Sequence, residues 1–185
     1  MPYIRQVNED KAEGKLKEYY ESLVKSRGKL SNIMKIHSLN PGSMMAHMDL
    51  YLKIMFGRTA LKREENELIA VAVSSTNKCD YCIKHHGEAL NFYWKNMDRV
   101  KLAAEDYTKA GLNKRQIKIV EHALKLTKNP YNVNEEDIHE LRDAGLTDEE
   151  ILSVNLVTSY FNFVNRIALG LGVEFSEEEV RGYKY

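Results

Sequence analysis

The stretch "LKREENELIAVAVSSTNKCDYCIKHHGEAL" at residues 61–90 combines a helix-forming pattern with most of the reactive chemistry of the chain. Its first half passes from charged residues into a continuous apolar run, as a helix does when it enters a protein core. Its second half holds both cysteines of the chain, Cys79 and Cys82, followed by His85 and His86. The pattern predicts two consecutive helices, the second extending from about residue 79 to 94.

Helical periodicity continues on both sides of this stretch, and no run shows the alternation of a strand. Pro41 is expected in the first turn of a helix, and Asn134 and Thr147 are expected as N-caps. Glycines at 111 and 145 are expected to end two helices. The sequence therefore predicts an all-α fold in one domain, residues 1–185. Besides the two helices above, its predicted helices cover residues 9–26, 41–57, 98–110, 113–127, 134–144 and 146–172.

Two of the predicted helices show a weak internal sequence similarity. Residues 61–82 and 146–167 both begin with Leu, a short polar cap and Glu-Glu, and then continue into a long apolar run. Aligning the two segments places Asn77 opposite Asn162 and leaves the second copy without cysteines. Two explanations remain open: a bundle built from two similar helical halves, or two unrelated core helices with similar caps.

Composition narrows the class of protein. The 27 basic and 27 acidic residues balance, and no segment is strongly basic, which argues against nucleic acid as a partner. No apolar run is long enough for a membrane span, and the first residues lack the apolar core of a signal peptide. We therefore expect a cytoplasmic protein with no membrane partner. In a reducing compartment, a close cysteine pair is catalytic, redox-sensing or metal-binding rather than a permanent disulfide.

The spacing of the two cysteines suits redox chemistry. With Cys79 at or just before the helix start, Cys82 lies in the first turn, where free N–H groups and the helix dipole favour a thiolate. A peroxide oxidises a thiolate to a sulfenic acid, and a neighbouring thiol condenses with it to form a disulfide. An external dithiol must then reduce that disulfide.

A histidine and a carboxylate fall within reach of the pair. His86 follows Cys82 by four residues on the same helical face and can take the thiol proton, whereas His85 points about 100° away. If the two helices pack antiparallel, Glu67 can orient and polarise a histidine. Glu64 and Glu65 are expected to be solvated acids of the first turn.

Three other interpretations use the same residues. Two cysteines and two histidines are zinc-type ligands, but ligand pairs on one helical turn cannot easily surround an ion, and no second cluster follows. A disulfide reductase or redox sensor needs the same pair and is separated only by assay. Buried cysteines that only pack in the core are the remaining alternative.

The order Glu67, eleven residues, Cys79-x-x-Cys82, three residues, His86 resembles the pattern of AhpD-like alkylhydroperoxidases in the carboxymuconolactone decarboxylase superfamily. The segments "HSLNPGSMMAHMDLYLKIMFG" and "YFNFVNRIALGLGVE" are similar to its peroxidase-related branch, and the likeness extends from about Ile4 to Tyr183. The decarboxylase branch, which typically lacks the cysteine pair, is a poorer match.

The resemblance implies an all-helical fold, often with a repeated unit, that assembles as a homotrimer or homohexamer. It implies cofactor-free reduction of a hydroperoxide, with Cys82 as the peroxidatic cysteine and Cys79 as the resolving one. It implies a proton relay of His86 and Glu67, and an auxiliary role for Tyr81, to which the sequence adds His85 as a less well-placed neighbour. The peroxide and the dithiol reductant remain open.

Overall fold

The computed structural model describes residues 1–57, 60–176 and 179, and the end of the predicted likeness at Tyr183 lies outside them. Its secondary structure is entirely helical over these residues, which confirms the predicted fold class. The nine α-helices of this part of the chain are α1 Gly14–Arg27, α2 Asn32–Lys35, α3 Pro41–Phe56, α4 Arg63–Thr76, α5 Asp80–Trp94, α6 Met97–Glu105, α7 Lys114–Lys128, α8 Glu135–Asp143 and α9 Asp148–Leu171. Short 3₁₀ turns occupy Glu9–Lys11, Tyr107–Lys109 and Pro130–Asn132.

Helix α4 is the centre of the molecule. Every residue from Glu65 to Ser74 is buried, so the helix is covered on all sides, as its apolar sequence requires. Helices α5, α7 and α9 pack around it. The polar side chains that α4 carries, including Glu67, are therefore held in the interior and need partners there.

Capping residues set the helix boundaries where the sequence places them. Pro41 opens α3, Asn134 caps α8, and Thr147 forms a capping box with Glu150 at the start of α9. Pro41 has no N–H that needs an acceptor, and the cap side chains of α8 and α9 accept from backbone N–H groups that would otherwise lack acceptors. Gly145 follows α8 with a φ of 85°, as a helix-ending glycine does.

The predicted helix over residues 98–110 is wrong in its second half. Helix α6 ends at Glu105, and Asp106 leaves the helical region with φ −153° and ψ 88°. The Asp106 carboxylate accepts hydrogen bonds from the backbone N and the hydroxyl of Thr108, at 3.2 and 2.5 Å. A side chain that bonds the nearby backbone in this way competes with helix continuation, and a separate 3₁₀ turn follows.

One arginine joins the two segments that echo each other in sequence. The Nε of Arg115 lies 2.9 Å from Glu65, and its Nη2 lies 2.7 Å from Glu150, the equivalent residue of the second segment. Glu65 is only 4% exposed, so the expectation that it is a solvated acid is wrong. Its carboxylate pairs with Arg115 and also accepts a hydrogen bond from the backbone N–H of Lys62 in the cap of α4. Asn77 donates to Asn162 at 3.1 Å, so a second equivalent pair also meets where α4 and α9 pack.

No helix of the described part of the chain is both long and apolar enough to cross a membrane.

Candidate active site

A tight turn between α4 and α5 places the two cysteines. Asn77 ends α4, Lys78 adopts a left-handed conformation with φ 56°, and Cys79 is the N-cap of α5. The N–H of Cys79 donates to the carbonyl of Ser74 at 2.9 Å, which pins the turn against the end of α4. Cys82 therefore lies in the first turn of α5, as the spacing predicts.

The two thiols are reduced and lie against each other. Their Sγ atoms are 3.1 Å apart, and each cysteine is only 1% exposed. A disulfide has an S–S length of about 2.05 Å, so the pair needs only a small movement to close one. Cys82 lines a pocket, whereas Cys79 is absent from that lining, so an incoming small molecule meets Cys82 first.

The two thiols interact strongly, and their ionisation belongs to the pair. The hydrogen bond between them lowers the pKa of Cys79, and burial opposes that effect. The same hydrogen bond, together with burial and the charge of Cys79, raises the pKa of Cys82 well above its usual value. In the reduced pair the thiolate is therefore favoured on Cys79. This direction differs from the expectation for Cys82 from its place in the helix, because the second sulfur and burial outweigh the helix start.

Two buried polar residues on the neighbouring helices counteract this effect at Cys82. Hydrogen bonds from Asn165 and Ser74 to the Cys82 sulfur lower its pKa. Asn165 also donates to Ser74 at 3.1 Å and accepts from Asn77 at 2.9 Å, and both Asn165 and Ser74 are fully buried. Asn165 therefore belongs to the site, and this network holds two donors at the Cys82 sulfur, where they favour its charged form.

Glu67 and His86 form the carboxylate–histidine pair that the sequence predicts. Oε2 of Glu67 lies 2.7 Å from Nδ1 of His86, and its Oε1 lies 2.5 Å from Nη2 of Arg63. Glu67 is fully buried; burial would raise its pKa, but the hydrogen bonds and charges of His86 and Arg63 outweigh burial and lower it. Since the carboxylate accepts from Nδ1–H, the lone pair of His86 is on Nε2. No residue in the described ranges hydrogen-bonds that nitrogen.

His85 is engaged in a different way. Its Nδ1 lies 2.8 Å from the carbonyl oxygen of Tyr81, and its Nε2 lies 2.5 Å from Oε2 of Glu179. Both neighbouring groups are acceptors, so the ring nitrogens of His85 are directed at Tyr81 and Glu179 rather than at a cysteine. The Tyr81 hydroxyl also donates to Glu179, at 2.9 Å, and accepts from the N–H of Ile33.

The pocket beside Cys82 has a volume of about 90 Å³. Tyr81, His85 and His86 share its lining with Cys82, and Arg27 and Lys29 contribute cationic groups. The rest of the lining is mostly apolar and comes from several helices: Leu23, Ser31, Ile33, Met34, Met48, Tyr51, Ala89, Tyr160, Phe161 and Val164. An apolar pocket with a few convergent polar groups is the usual form of a site for a small organic molecule.

The structure gives no support to a metal centre at the motif. Within residues 1–57, 60–176 and 179, no three His, Cys, Asp or Glu side chains are grouped so that they could hold a metal ion. The two histidines of the motif diverge, since one bonds Glu67 and the other Glu179.

Sequence reasoning missed three partners of the site. Arg63 precedes Glu67 by four residues, a spacing that indicates a helical ion pair and was available as a signal. Ser74 also lies on α4, but nothing in its local sequence distinguishes it from a core serine. Glu179 is separated from Tyr81 by 98 residues, so only the folded chain brings them together.

Comparisons with known families and structures identify the family of the chain. The family model described as "Carboxymuconolactone decarboxylase family" matches residues 41–91, which span α3, α4 and most of α5. No curated protein sequence matches the chain significantly.

Two peroxidase-related proteins have the same fold over almost the whole chain. An uncharacterized one from Silicibacter sp. TM1040 is 30% identical, with a TM-score of 0.83, and the match covers 91% of this chain and 88% of that protein. Another, from Ralstonia eutropha JMP134 and described as an alkylhydroperoxidase AhpD core, is 27% identical, with a TM-score of 0.88 and coverage of 97% and 94%.

The debrominase Bmp8, solved in complex with 2,3,4-tribromopyrrole, is 19% identical with a TM-score of 0.78 over 94% of this chain and 91% of its own, a likeness in fold alone. The family model, the full-length structural matches and the spaced glutamate, cysteines and histidine agree. The chain belongs to the AhpD-like group of the carboxymuconolactone decarboxylase superfamily, whose members include enzymes.

Proposed function

We propose that the protein is a thiol-dependent peroxidase that reduces small alkyl hydroperoxides. The observation that carries the proposal is the arrangement around Cys82: it lines an apolar pocket, lies 3.1 Å from the Sγ of Cys79, and shares the pocket with His86. A redox pair, a histidine with an open nitrogen and an apolar chamber are the components that hydroperoxide reduction needs.

In the proposed reaction, Nε2 of His86 takes the thiol proton of Cys82, while Glu67 stabilises the imidazolium that forms. The Cys82 thiolate then attacks the terminal oxygen of the hydroperoxide. The S–O bond forms, the O–O bond breaks, and the alkoxide leaves with the proton held by His86. The products are a sulfenic acid on Cys82 and an alcohol.

Cys79 completes the oxidation. Its sulfur displaces the oxygen of the sulfenic acid, which leaves as water with the thiol proton, and a Cys79–Cys82 disulfide forms. Two electrons from an external dithiol then restore both thiols by exchange. No metal or organic cofactor takes part in this cycle.

The pocket limits the class of substrate. A pocket of about 90 Å³ with a mostly apolar lining suits a small alkyl group. We therefore expect tert-butyl hydroperoxide to react faster than hydrogen peroxide, because its alkyl group fills apolar space that hydrogen peroxide leaves empty.

The direct test is a thiol count under denaturing conditions on reduced, metal-free protein, before and after one equivalent of tert-butyl hydroperoxide. The chain has two cysteines, so the count is expected to fall from two to none. Persistence of both thiols contradicts peroxidase activity. If a small-molecule disulfide then oxidises the pair, the protein is a thiol–disulfide exchanger or redox sensor.

We also propose that the protein assembles as a homotrimer or homohexamer. Leu152, Leu156 and Phe163 share one face of α9 and are 59%, 44% and 46% exposed. Such an apolar stripe favours burial against another subunit. Light scattering during size-exclusion chromatography gives the number of subunits, and a monomer at working concentration contradicts the proposal.

A further inference from the structure

A hydrogen-bond chain of buried titratable groups also reaches the pocket, and the proposed cysteine chemistry does not use it. The hydroxyl oxygen of Tyr160 lies 2.8 Å from Nε2 of His47. The Nδ1 of His47 lies 3.3 Å from Nε2 of His37, and Nδ1 of His37 lies 2.8 Å from the carbonyl oxygen of Ile33. This hydrogen-bond chain extends from the half-buried His37 to Tyr160, which lines the pocket.

The carbonyl of Ile33, at one end of the hydrogen-bond chain, fixes which atom donates in every contact of that chain. The carbonyl of Ile33 only accepts, so Nδ1 of His37 carries a hydrogen and Nε2 of neutral His37 is an acceptor. Nδ1–H of His47 therefore donates to His37, and Nε2 of His47 is an acceptor. The only hydrogen left for the last contact is that of the Tyr160 hydroxyl, which must point at His47.

The neutral state of both histidines agrees with their surroundings. Burial, helped by the neighbouring His37, lowers the pKa of His47 to about 3. Burial also lowers the pKa of His37, against a smaller opposite effect of the Ile33 carbonyl. Neither ring carries a second proton near neutral pH, so the fold sets the donor-to-acceptor direction of the hydrogen-bond chain.

The consequence appears at the pocket end. Tyr160 is 6% exposed and lines the same pocket as Cys82. Its one hydrogen is committed to His47, and over the described part of the chain no group donates to its oxygen. A buried hydroxyl oxygen with unused lone pairs costs free energy unless a ligand or water supplies a donor.

We propose that Tyr160, locked as a hydrogen-bond acceptor by His47 and His37, binds the terminal O–H of the hydroperoxide and so aims that oxygen at Cys82. This inference rests on the proposed function and names a positioning residue for it. The terminal oxygen keeps its hydrogen throughout the reaction, because it becomes the S–OH of the sulfenic acid. Tyr160 therefore orients the substrate without exchanging a proton with it.

The proposal predicts that the hydrogen on the terminal peroxide oxygen distinguishes substrates that bind Tyr160 from compounds that do not. A hydroperoxide has a donor on its terminal oxygen, and a dialkyl peroxide of similar size has none. The same contrast exists between two unreactive probes, tert-butyl alcohol and methyl tert-butyl ether. Binding of these probes reports on Tyr160 without any turnover.

The experiment measures the affinity of both probes for the reduced protein by calorimetry. A hydrogen bond contributes about 0.5–1.5 kcal/mol net, so we expect Tyr160→Phe to lower the ratio of alcohol affinity to ether affinity roughly 2- to 12-fold, through weaker binding of the alcohol. The extra methyl group of the ether affects both proteins alike and cancels in this comparison. In Tyr131→Phe, which removes the hydroxyl of a tyrosine that is 81% exposed and lies outside the pocket, the ratio should stay unchanged.

A second variant tests the lock itself. His47→Leu frees the Tyr160 hydrogen, so the hydroxyl can donate to the ether oxygen, and the ratio should fall because the ether binds more tightly. This gain decides the matter if Tyr160→Phe does not fold. Undetectable binding of the alcohol by the wild type, or a wild-type ratio in both pocket variants, overturns the inference. Discrimination between the probes without peroxide oxidation supports Tyr160 as the acceptor for a pocket ligand and contradicts the proposed function.

Discussion

The Nδ1 of His86 lies 2.7 Å from Oε2 of Glu67, a residue nineteen positions earlier on the neighbouring helix. This contact directs the open nitrogen, Nε2, to the side of the ring away from the carboxylate, and His86 lines the pocket with Cys82. The adjacent His85 has both nitrogens engaged by acceptors. Two consecutive histidines therefore have different chemical capacities, and the difference comes from their partners rather than from their sequence.

His86→Ala should slow peroxide oxidation of the thiols by about 100-fold near neutral pH, because it removes the proposed base and general acid. His85→Ala should slow the same step by less than about 10-fold, since its ring nitrogens face Tyr81 and Glu179 rather than Cys82. Stopped-flow mixing of reduced protein with tert-butyl hydroperoxide measures both rates. The assignment of roles is contradicted if His85→Ala is the slower variant.

Glu67→Gln tests the carboxylate that orients His86. We expect a loss of about 10-fold or more in the rate of thiol oxidation, because an amide cannot stabilise an imidazolium as a carboxylate does. Glu64→Gln is the matched control on the same helix, since Glu64 is half-buried and carries none of these contacts. A Glu67→Gln enzyme as fast as this control removes Glu67 from the relay.

The same variant has a pH signature in stability. The pKa of Glu67 in the folded protein is lowered below its ordinary value of 4.5. Its ion pairs therefore contribute stability above about pH 4.5, and this contribution is lost as the pH falls through the lowered pKa. Thermal melts should show the largest difference between wild type and Glu67→Gln above pH 5 and a smaller one in more acid solution. A difference that grows on acidification contradicts this linkage.

Local signals were enough for much of the fold and for the core of the site. Apolar periodicity and capping residues such as Asn134 and Thr147 predict helices whose bounds agree within a few residues, because both depend on near neighbours in the chain. The Cys79–Cys82 spacing and the interval from Glu67 to His86 likewise refer to two consecutive helices. The failure at Asp106 has a local cause too, a side chain that competes for the backbone.

The remaining site could not be predicted, because its contacts join distant segments. Glu179 reaches His85 and Tyr81 from the far end of the chain, and Tyr160 meets His47 from another helix. The pKa order of the cysteine pair also escaped prediction. Helix position favours the Cys82 thiolate, but burial and the adjacent sulfur act only in the folded protein.

Arg115 should be a large contributor to stability, since it bridges the buried Glu65 and the half-buried Glu150. Arg115→Met leaves Glu65 without its ion-pair partner in the interior and should lower the free energy of unfolding by about 2–4 kcal/mol. Arg115→Lys should recover only part of this loss, because an ammonium cannot bind both carboxylates in a fork. Urea unfolding measures the change, with Arg142→Met as the control at an exposed ion pair. Equal stability of the two methionine variants contradicts the bridging role.

The thiol of Cys82 should become easier to ionise when its partner is removed. In Cys79→Ser, the sulfur that raises the pKa of Cys82 through its charge and hydrogen bond is gone, so that pKa should fall. Adding Ser74→Ala should raise it again, because Ser74 is one of the two residues whose hydrogen bonds lower it. Ultraviolet absorbance of the thiolate against pH follows both changes. A Cys82 pKa unaffected by Ser74→Ala excludes Ser74 from stabilising the thiolate.

The order of the two cysteines is the sharpest prediction, because pocket geometry and ionisation point to different sulfurs. Cys82 lines the pocket, yet the pKa of Cys79 is the one that is lowered. We expect accessibility to decide which sulfur attacks the peroxide, since a thiolate that a peroxide cannot reach does not react. The two sulfurs are 3.1 Å apart, so a proton can move from Cys82 to Cys79 before the attack.

Cys82→Ser should therefore keep its one thiol in the presence of peroxide. Cys79→Ser should lose its thiol to a sulfenic acid that dimedone traps and mass spectrometry places on Cys82. Trapping on Cys79 in Cys82→Ser, with an inert Cys79→Ser protein, would reverse the roles of the pair. Because each variant retains a single thiol, no disulfide can form within the chain, and the site of adduct formation identifies the sulfur that meets the peroxide.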